Sequence, residues 1–241
     1  MDYDVIVVGG GPAGATAAED LARAGRKVAM IDREGRIKPC GGAIPPRLIE
    51  DFAIPDSQLV AKVNCARMIS PTGRSVDIHI ENGFVGMVDR ERFDEYLRVR
   101  ASRAGAHRYA GTFVAIERDE AGPRVVFRDK ASGARMTLGA RIVIGADGAR
   151  SDVARAEVPG GDRIPYVIAY HEIVRAPLND QSYAPARCDV VYDGRISPDF
   201  YGWVFPHGAS ASVGMGSGID GVDLKQATAD LRAASGLTGC R

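Results

Sequence analysis

Three glycines spaced Gly9-x-Gly11-x-x-Gly14, with an acid at Asp32, make a constellation able to hold a nucleotide diphosphate. Gly9 permits a tight turn, Gly11 lets backbone approach a phosphate, and Gly14 lets a helix sit close on a strand. The helix start would then offer N–H groups and a partial positive charge. Pro12 suits the first helical turn, where its missing N–H is not needed. Asp32 lies 23 residues after Gly9, placed to accept hydrogen bonds from a ribose. This pattern admits both FAD and NAD(P), or a glycine-rich turn with no ligand.

Three further segments could carry chemistry. Gly145-Ala146-Asp147-Gly148 ends an apolar run, and its Asp can bind hydroxyls or simply close an Asx turn. Lys38-Pro39-Cys40-Gly41-Gly42-Ala43 sets a thiol beside two glycines that would let backbone lie flat against a large ring, although an inert buried thiol fits as well. In Tyr201-Gly202-Trp203-Val204-Phe205-Pro206, alternation puts Tyr201, Trp203 and Phe205 on one strand face. Such a wall suits an apolar chain or a plain sheet core. His79, His107, His171 and His207 show no metal-ligand spacing, so a metal site is not expected. His171 and His207 are potential proton donors, with satisfied or solvent-facing histidines as the simpler reading. Arg23, Arg26, Arg98, Arg100 and Arg103 read as solvated helix faces.

The elements that position these groups follow from periodicity. Strand, turn, helix and strand run over 3–8, 9–14, 15–24 and 27–31, with Gly25 stopping the helix. A short helix covers 46–52. Runs 60–69 and 75–80 look like strands about a Ser-Pro-Thr-Gly turn. Asp89–Ala104 is a helix with Asp89 as N-cap and Phe93, Tyr96, Leu97, Ala101 and Ala104 on one face. Runs 109–117, 124–128 and 135–138 form a β-meander, 141–144 a buried strand, and 151–156 a short helix. Beyond residue 160, runs 167–174, 188–192, 201–205 and 210–215 read as antiparallel strands, and 223–234 as a last helix.

Composition excludes several classes. Lys+Arg and Asp+Glu both number 31 in 241 residues, against a dedicated nucleic-acid binder. No apolar run approaches the ~20 residues of a membrane span. The N-terminus enters an apolar strand without a basic leader, as in a cytosolic chain. Cys40, Cys65, Cys188 and Cys240 lie far apart and read as reduced thiols.

Taken together, the segments resemble the geranylgeranyl reductase family of flavoproteins, within the larger group shaped like para-hydroxybenzoate hydroxylase. The Lys-Pro-Cys-Gly-Gly-Ala segment, Met68-Ile69-Ser70-Pro71 and Ser197–Pro206 look most like the branch acting in chlorophyll and bacteriochlorophyll synthesis. The Tyr-x-Trp-x-Phe-Pro…Gly-x-Gly signature, ending at Gly214-Met215-Gly216, is far more specific than the nucleotide fingerprint.

The resemblance implies an α/β (α+β) architecture. A Rossmann-type FAD-binding domain, 1–56 and 88–158, would be interleaved with an antiparallel β-sheet substrate domain, 57–87 and 159–241. It implies FAD in the first site and reduction of a geranylgeranyl chain towards phytyl, free as the diphosphate or attached to bacteriochlorophyll, with NADPH as electron source. It leaves a peripheral contact with a photosynthetic membrane open. Gly9, Gly11, Ala13, Gly14 and Asp32 would hold the ADP half, Val114 the adenine through its backbone, and Arg90 the phosphate or ribose region. Cys40, Gly41 and Ala43 would lie near the flavin, and Asp147 would bear on cofactor binding. Tyr201, Trp203 and Phe205 would line the isoprenoid pocket, with Cys40 and Tyr201 as proton-donor candidates. Family members carry a further Gly-Asp-Ala segment. This chain stops at Leu237-Thr238-Gly239-Cys240-Arg241 without one, so the expectation is a C-terminal truncation in which both domains are incomplete. An aromatic monooxygenase of the same fold and an inactive FAD-binding fragment are the rival expectations.

Overall fold

The computed structural model describes residues 1–35, 38–177 and 183–237, so Cys240 lies outside the described residues. In chain order its elements are β1 (Tyr3–Val8), α1 (Pro12–Arg23), β2 (Val28–Asp32), β3 (Ala43–Ile44), α2 (Pro46–Asp51), β4 (Leu59–Val63), β5 (Cys65–Ile69), β6 (Ser75–His79), β7 (Val85–Val88) and α3 (Arg90–Arg103). There follow β8 (His107–Asp119), β9 (Gly122–Asp129), β10 (Arg135–Gly145), α4 (Asp152–Glu157), β11 (Ile168–Arg175), β12 (Arg187–Val191), β13 (Gly202–His207), β14 (Ser210–Ser217) and α5 (Leu224–Ala234). They form two compact units, Met1–Ile37 with Glu91–Tyr166 and Lys38–Arg90 with Val167–Arg241.

The first unit is built on β1, whose apolar run is buried on both faces, as a central parallel strand requires. It pairs in parallel with β2 and β10, and β2 pairs in parallel with β8. Strands β8 and β10 are long enough to serve two ladders. Residues 107–110 of β8 pair with β2, and 111–119 turn antiparallel onto β9. Residues 135–139 of β10 pair with β9, and 140–145 with β1, so the ladder closes on itself. The sequence reading divides β10 into two strands. The structure runs it through Gly139, where the partner changes from Arg124 in β9 to Tyr3 in β1 across one peptide. Ile6, Ile31, Val125 and Phe127 are at the centre of the core. Helix α1 ends as expected, with Gly25 in the left-handed region at φ 76° and its N–H donating to Ala22.

The second unit holds a six-stranded sheet, β11-β14-β13-β12-β5-β6, and a small sheet, β3-β7-β4. Run 60–69 breaks at Asn64, because its halves enter different sheets. The sequence reading puts 38–56 with the cofactor domain. In the structure these residues cluster with the second unit, since Ala43 and Ile44 pair with Met87 and Gly86. Helix α5, capped by Asp223 accepting from the Lys225 and Gln226 amides, covers one sheet face. There Leu231 packs with Val204, Val213 and Met215. The α/β architecture with parallel and antiparallel sheets matches the expectation.

Candidate functional site

In the first unit, the turn between β1 and α1 shows why Gly9 and Gly14 are required. A Cβ on Gly14 would lie 1.8 Å from the Gly9 carbonyl oxygen, so the helix sits on the turn with no room for a methyl. Gly9 has φ +103°, and its Cβ would lie 2.4 Å from the Ala146 carbonyl, so the turn also rests on the Ala146–Asp147 backbone. A Cβ on Gly11 would meet nothing within 4 Å, which leaves this stretch of backbone open to approach. Helix α1 has Gly11 as N-cap with no side-chain cap, and its first internal bond runs from the Ala15 N–H to the Gly11 carbonyl. The Ala13 and Gly14 amides precede that bond, and Ala13 is exposed. A helix start of this kind has unpaired amides of the sort an anion can use.

Asp32 ends β2 and braces the same turn. Its Oδ2 accepts from the Gly10 N–H at 2.8 Å and its Oδ1 from the Glu34 N–H at 2.9 Å. Each oxygen keeps a further lone pair for a ribose hydroxyl. Val114 falls where the β8–β9 register shifts between Phe113 and Ala115, so it has no cross-strand partner, and its side chain is exposed. A bulge of this kind leaves backbone groups outside the ladder. Asp147 is engaged locally. Its carboxylate accepts from Ser151 Oγ, from the Asp152 N–H at 2.7 Å and from the Val153 N–H at 3.3 Å, and so holds the start of α4.

Of the arginines expected on solvated faces, Arg98 is buried and Arg100 is half-buried. Arg98 is 8% exposed and donates to the Gly10 carbonyl at 3.1 Å, and Arg100 pairs with the buried Glu19 at 2.8 Å. A buried cation needs such partners, and the turn and α1 supply them. The available signal was the width of the α3 stripe. Asp94 and Arg98 are buried beside Phe93, Leu97 and Ala101, so the inward face is broader than the apolar residues alone suggest.

In the second unit, the Cys40 loop and the aromatic strand come together. A Cβ on Gly41 would lie 2.5 Å from the Phe205 ring, so this backbone does lie flat on a ring, and within the unit that ring is Phe205. Gly42 sits at φ +75° and its carbonyl accepts from the Val88 N–H at 2.8 Å. Cys40 Sγ accepts from the Gly42 N–H at 3.4 Å. Ala43 opens β3, and Arg90 opens α3 half-buried.

Cross-strand partners share a face. His171, Gly214, Trp203, Val190, Met68 and Val76 therefore form one row across the sheet. The indole of Trp203 lies over Gly214, where a Cβ would be 2.4 Å from Cζ2, and this explains the glycine opposite the tryptophan. Trp203 is 4% exposed, and its Nε1 donates to Ser212 Oγ at 3.1 Å. Tyr201 stacks on Phe200 at 4.2 Å between ring centroids, and its ring is 6.3 Å from that of Trp203. Burial, then the neighbouring Tyr192 and Cys40, raise the Tyr201 pKa and keep the phenol protonated. Ser197, absent from the sequence-level site, is buried and donates to the Gly216 carbonyl at 2.7 Å, tying the entry of β13 to β14.

Two of the three histidines of this sheet, His171 and His207, are hydrogen-bonded within it. His207 Nε2 bonds the Gly41 carbonyl at 2.9 Å, and His171 Nδ1 bonds Ser212 Oγ at 3.2 Å. Burial lowers both imidazole pKa values below the ordinary 6.5; proximity to His207 adds to the effect on His171, and the Gly41 carbonyl opposes it on His207. The unfolded chain thus takes up these protons first, so stability falls as pH drops through 6.5 towards the folded values. We expect a lower urea midpoint at about pH 6.0 than at 7.5, followed by the fluorescence of the single Trp. The difference should shrink in His207→Gln, and equal midpoints in the wild type would refute it.

The uncapped helix start, the glycine turn and the acid at the end of β2 define a dinucleotide-binding oxidoreductase fold. Residues 3–183 match the pyridine nucleotide-disulphide oxidoreductase family, and the chain belongs to it. The chain is 66% identical over 237 residues to a geranylgeranyl diphosphate reductase of Rhodobacter capsulatus, covering 98% of this chain and 60% of that protein. It also superposes on a geranylgeranyl bacteriochlorophyll reductase-like protein from Thermoplasma acidophilum with a TM-score of 0.86 at 26% identity, covering 99% of this chain and 64% of that one. A flavin-dependent monooxygenase in complex with FAD and substrate shares the fold, with a TM-score of 0.69 at 20% identity over 100% of this chain and 48% of its own. The chain therefore spans less than two thirds of each of these proteins. The family supports a dinucleotide at the glycine turn, and the open Gly11 and the free lone pairs of Asp32 fit the ADP half of such a group.

Proposed function

We propose that the chain is the major part of an FAD-dependent reductase of geranylgeranyl chains, acting on the free diphosphate or on the bacteriochlorophyll ester with NADPH as reductant. The observation that carries this reading is the aromatic row of β13 packed on the Cys40–Gly42 loop, in a chain 66% identical to a geranylgeranyl diphosphate reductase. An isolated C=C bond has no group to stabilise a carbanion, so hydride addition needs a proton delivered to the other carbon. FAD, when bound, supplies the hydride. The chain's residues supply orientation, a dry wall and the proton.

In this reading Gly9, Gly11, Ala13, Gly14 and Asp32 hold the ADP half, the Val114 backbone meets adenine, and Arg90 binds the phosphate or ribose region. Cys40, Gly41 and Ala43 face the reactive end, and Asp147 acts through the turn it supports. Tyr201, Trp203 and Phe205 orient the isoprenoid. Tyr201, kept protonated by burial, holds a proton on its Oη, and Cys40 is the second donor candidate. Among the described residues no helix is long and apolar enough to cross a membrane, and a membrane-borne substrate would be met peripherally.

The test supplies FAD, NADPH and geranylgeranyl diphosphate to the purified chain and weighs the product. A gain of two hydrogens per reduced bond is expected. NADPH-coupled oxygen uptake with hydroxylation of an added phenol, and no hydrogenated prenyl product, would replace the reading with a monooxygenase.

A further inference from the structure

Gly9, Gly10 and Gly11 form a run with wide conformational freedom, yet the nucleotide turn needs one conformation. The structure holds Gly10 from both ends. Its N–H donates to Asp32 Oδ2 at 2.8 Å, and its carbonyl accepts from Arg98 Nη1 at 3.1 Å. A Cβ on Gly10 would lie 2.8 Å from Asp32 Cβ and 3.1 Å from Arg98 Cδ, so the residue is gripped between the two side chains.

Arg98 is itself fixed. Its Nη1 lies 3.7 Å from Asp32 Oδ1, and its Nε donates to Glu95 Oε2 at 2.9 Å. Glu95 also takes both Nη atoms of Arg108, at 2.6 and 2.8 Å. These bonds, Arg108 first, hold the Glu95 carboxyl below the usual range. Arg108 reaches Glu34 at 2.8 Å, and the Glu34 N–H returns to Asp32 at 2.9 Å, with Glu34 in the left-handed region at φ 54°. The chain of bonds closes on Asp32, joining the end of β2, helix α3 and strand β8 around the turn.

We infer that Arg98 is the positioning residue of the nucleotide turn: with Asp32 it clamps the Gly10 peptide, so that the α1 amides stay aimed at a diphosphate before one arrives. The inference rests on the FAD reading and adds to it a residue acting through Gly10. Such preorganisation removes an ordering cost from binding. A hydrogen bond from a charged donor is worth about 1.5–3 kcal/mol, or roughly a tenfold to hundredfold change in affinity.

The test measures FAD dissociation by flavin fluorescence, with ADP as competitor, on the full chain. The urea midpoint without flavin is read alongside. Arg98→Met is expected to weaken both nucleotides about tenfold to hundredfold, and Arg98→Lys to recover part of the loss. Adding Asp32→Asn to Arg98→Met should cost little more than the larger single change, because both act on one peptide. Arg100→Met is the control, since Arg100 lies on the same helix as Arg98 and its loss breaks a part-buried pair with Glu19 of α1 without touching Gly10. It should lower the midpoint and leave FAD affinity within about twofold. Equal loss of affinity in Arg98→Met and Arg100→Met, unchanged affinity in Arg98→Met, or additive losses with Asp32→Asn would overturn the inference. A wild-type chain that bound neither FAD nor ADP would overturn the cofactor reading and this inference with it.

Discussion

Purified Gly14→Ala protein is expected to retain no flavin and to lose about 3 kcal/mol of stability in its first unit. The new methyl would sit 1.8 Å from the Gly9 carbonyl oxygen and 3.0 Å from its carbon. The obstacle is backbone, not the far end of a flexible side chain, so α1 must move off the turn. That turn cannot yield in the other direction, because Gly9 is seated on the Ala146–Asp147 backbone. Moving α1 also draws the Ala13 and Gly14 amides from their aim and loosens Ala15 and Ala18, both fully buried. Gly11→Ala is the matched contrast. Its Cβ meets nothing within 4 Å and its φ is −70°, so the fold should lose no more than about 1 kcal/mol, the cost of Ala in place of Gly at an N-cap, while the methyl stands where a diphosphate would approach. Visible absorbance and urea midpoints separate the two. Gly14→Ala should lose both properties and Gly11→Ala only the flavin. A Gly14→Ala chain with wild-type flavin content and midpoint would refute the close-packing account.

This turn was legible in the sequence because its signals are local. A doubly buried strand, three glycines, a proline at the helix start and an acid at the end of the next strand each dictate geometry within a few residues. The aromatic face of β13 was legible for the same reason, since alternation alone sets which side chains share a side. What could not be read depends on partners distant in sequence. Arg98 looks like any helix arginine until Gly10, 88 residues away, offers its carbonyl. Strand β3 has two residues, too short for a periodicity, and exists because β7 pairs with it. The runs 135–138 and 141–144, read as two strands, are one strand, β10, continuous through Gly139. There the chain passes from one ladder to another, which only the pairing of both neighbours reveals. Asp147 stood between an Asx turn and a ligand-binding group. Its bonds to the start of α4 show the local role, and that role is compatible with supporting the turn beneath Gly9.

Trp203→Ala is expected to cost about 3–5 kcal/mol in the second unit, the range for deleting a large buried aromatic. The indole is 4% exposed and fills the space that Gly214 leaves empty, so its loss opens a cavity floored by a glycine that cannot fill it. The Ser212 hydroxyl would also lose the Nε1–H donor while still bonded to His171, leaving a buried polar group short of a partner. Trp203→Phe keeps an aromatic ring in the row but removes the donor and part of the indole, so its expected cost is about 2 kcal/mol. The two variants separate packing from substrate handling. The nucleotide turn belongs to the first unit and shares none of these contacts, so flavin content per folded protein should stay near the wild type in both. Conversion of geranylgeranyl diphosphate should fall steeply in Trp203→Ala, and in Trp203→Phe it should persist with a raised KM. Circular dichroism supplies the midpoints, since the only Trp is the residue being replaced. If flavin content and prenyl turnover fell together in Trp203→Phe at an unchanged midpoint, the aromatic row would not be a substrate wall. If Trp203→Ala left the midpoint within about 0.5 kcal/mol of wild type, the indole would not be the keystone of this sheet face.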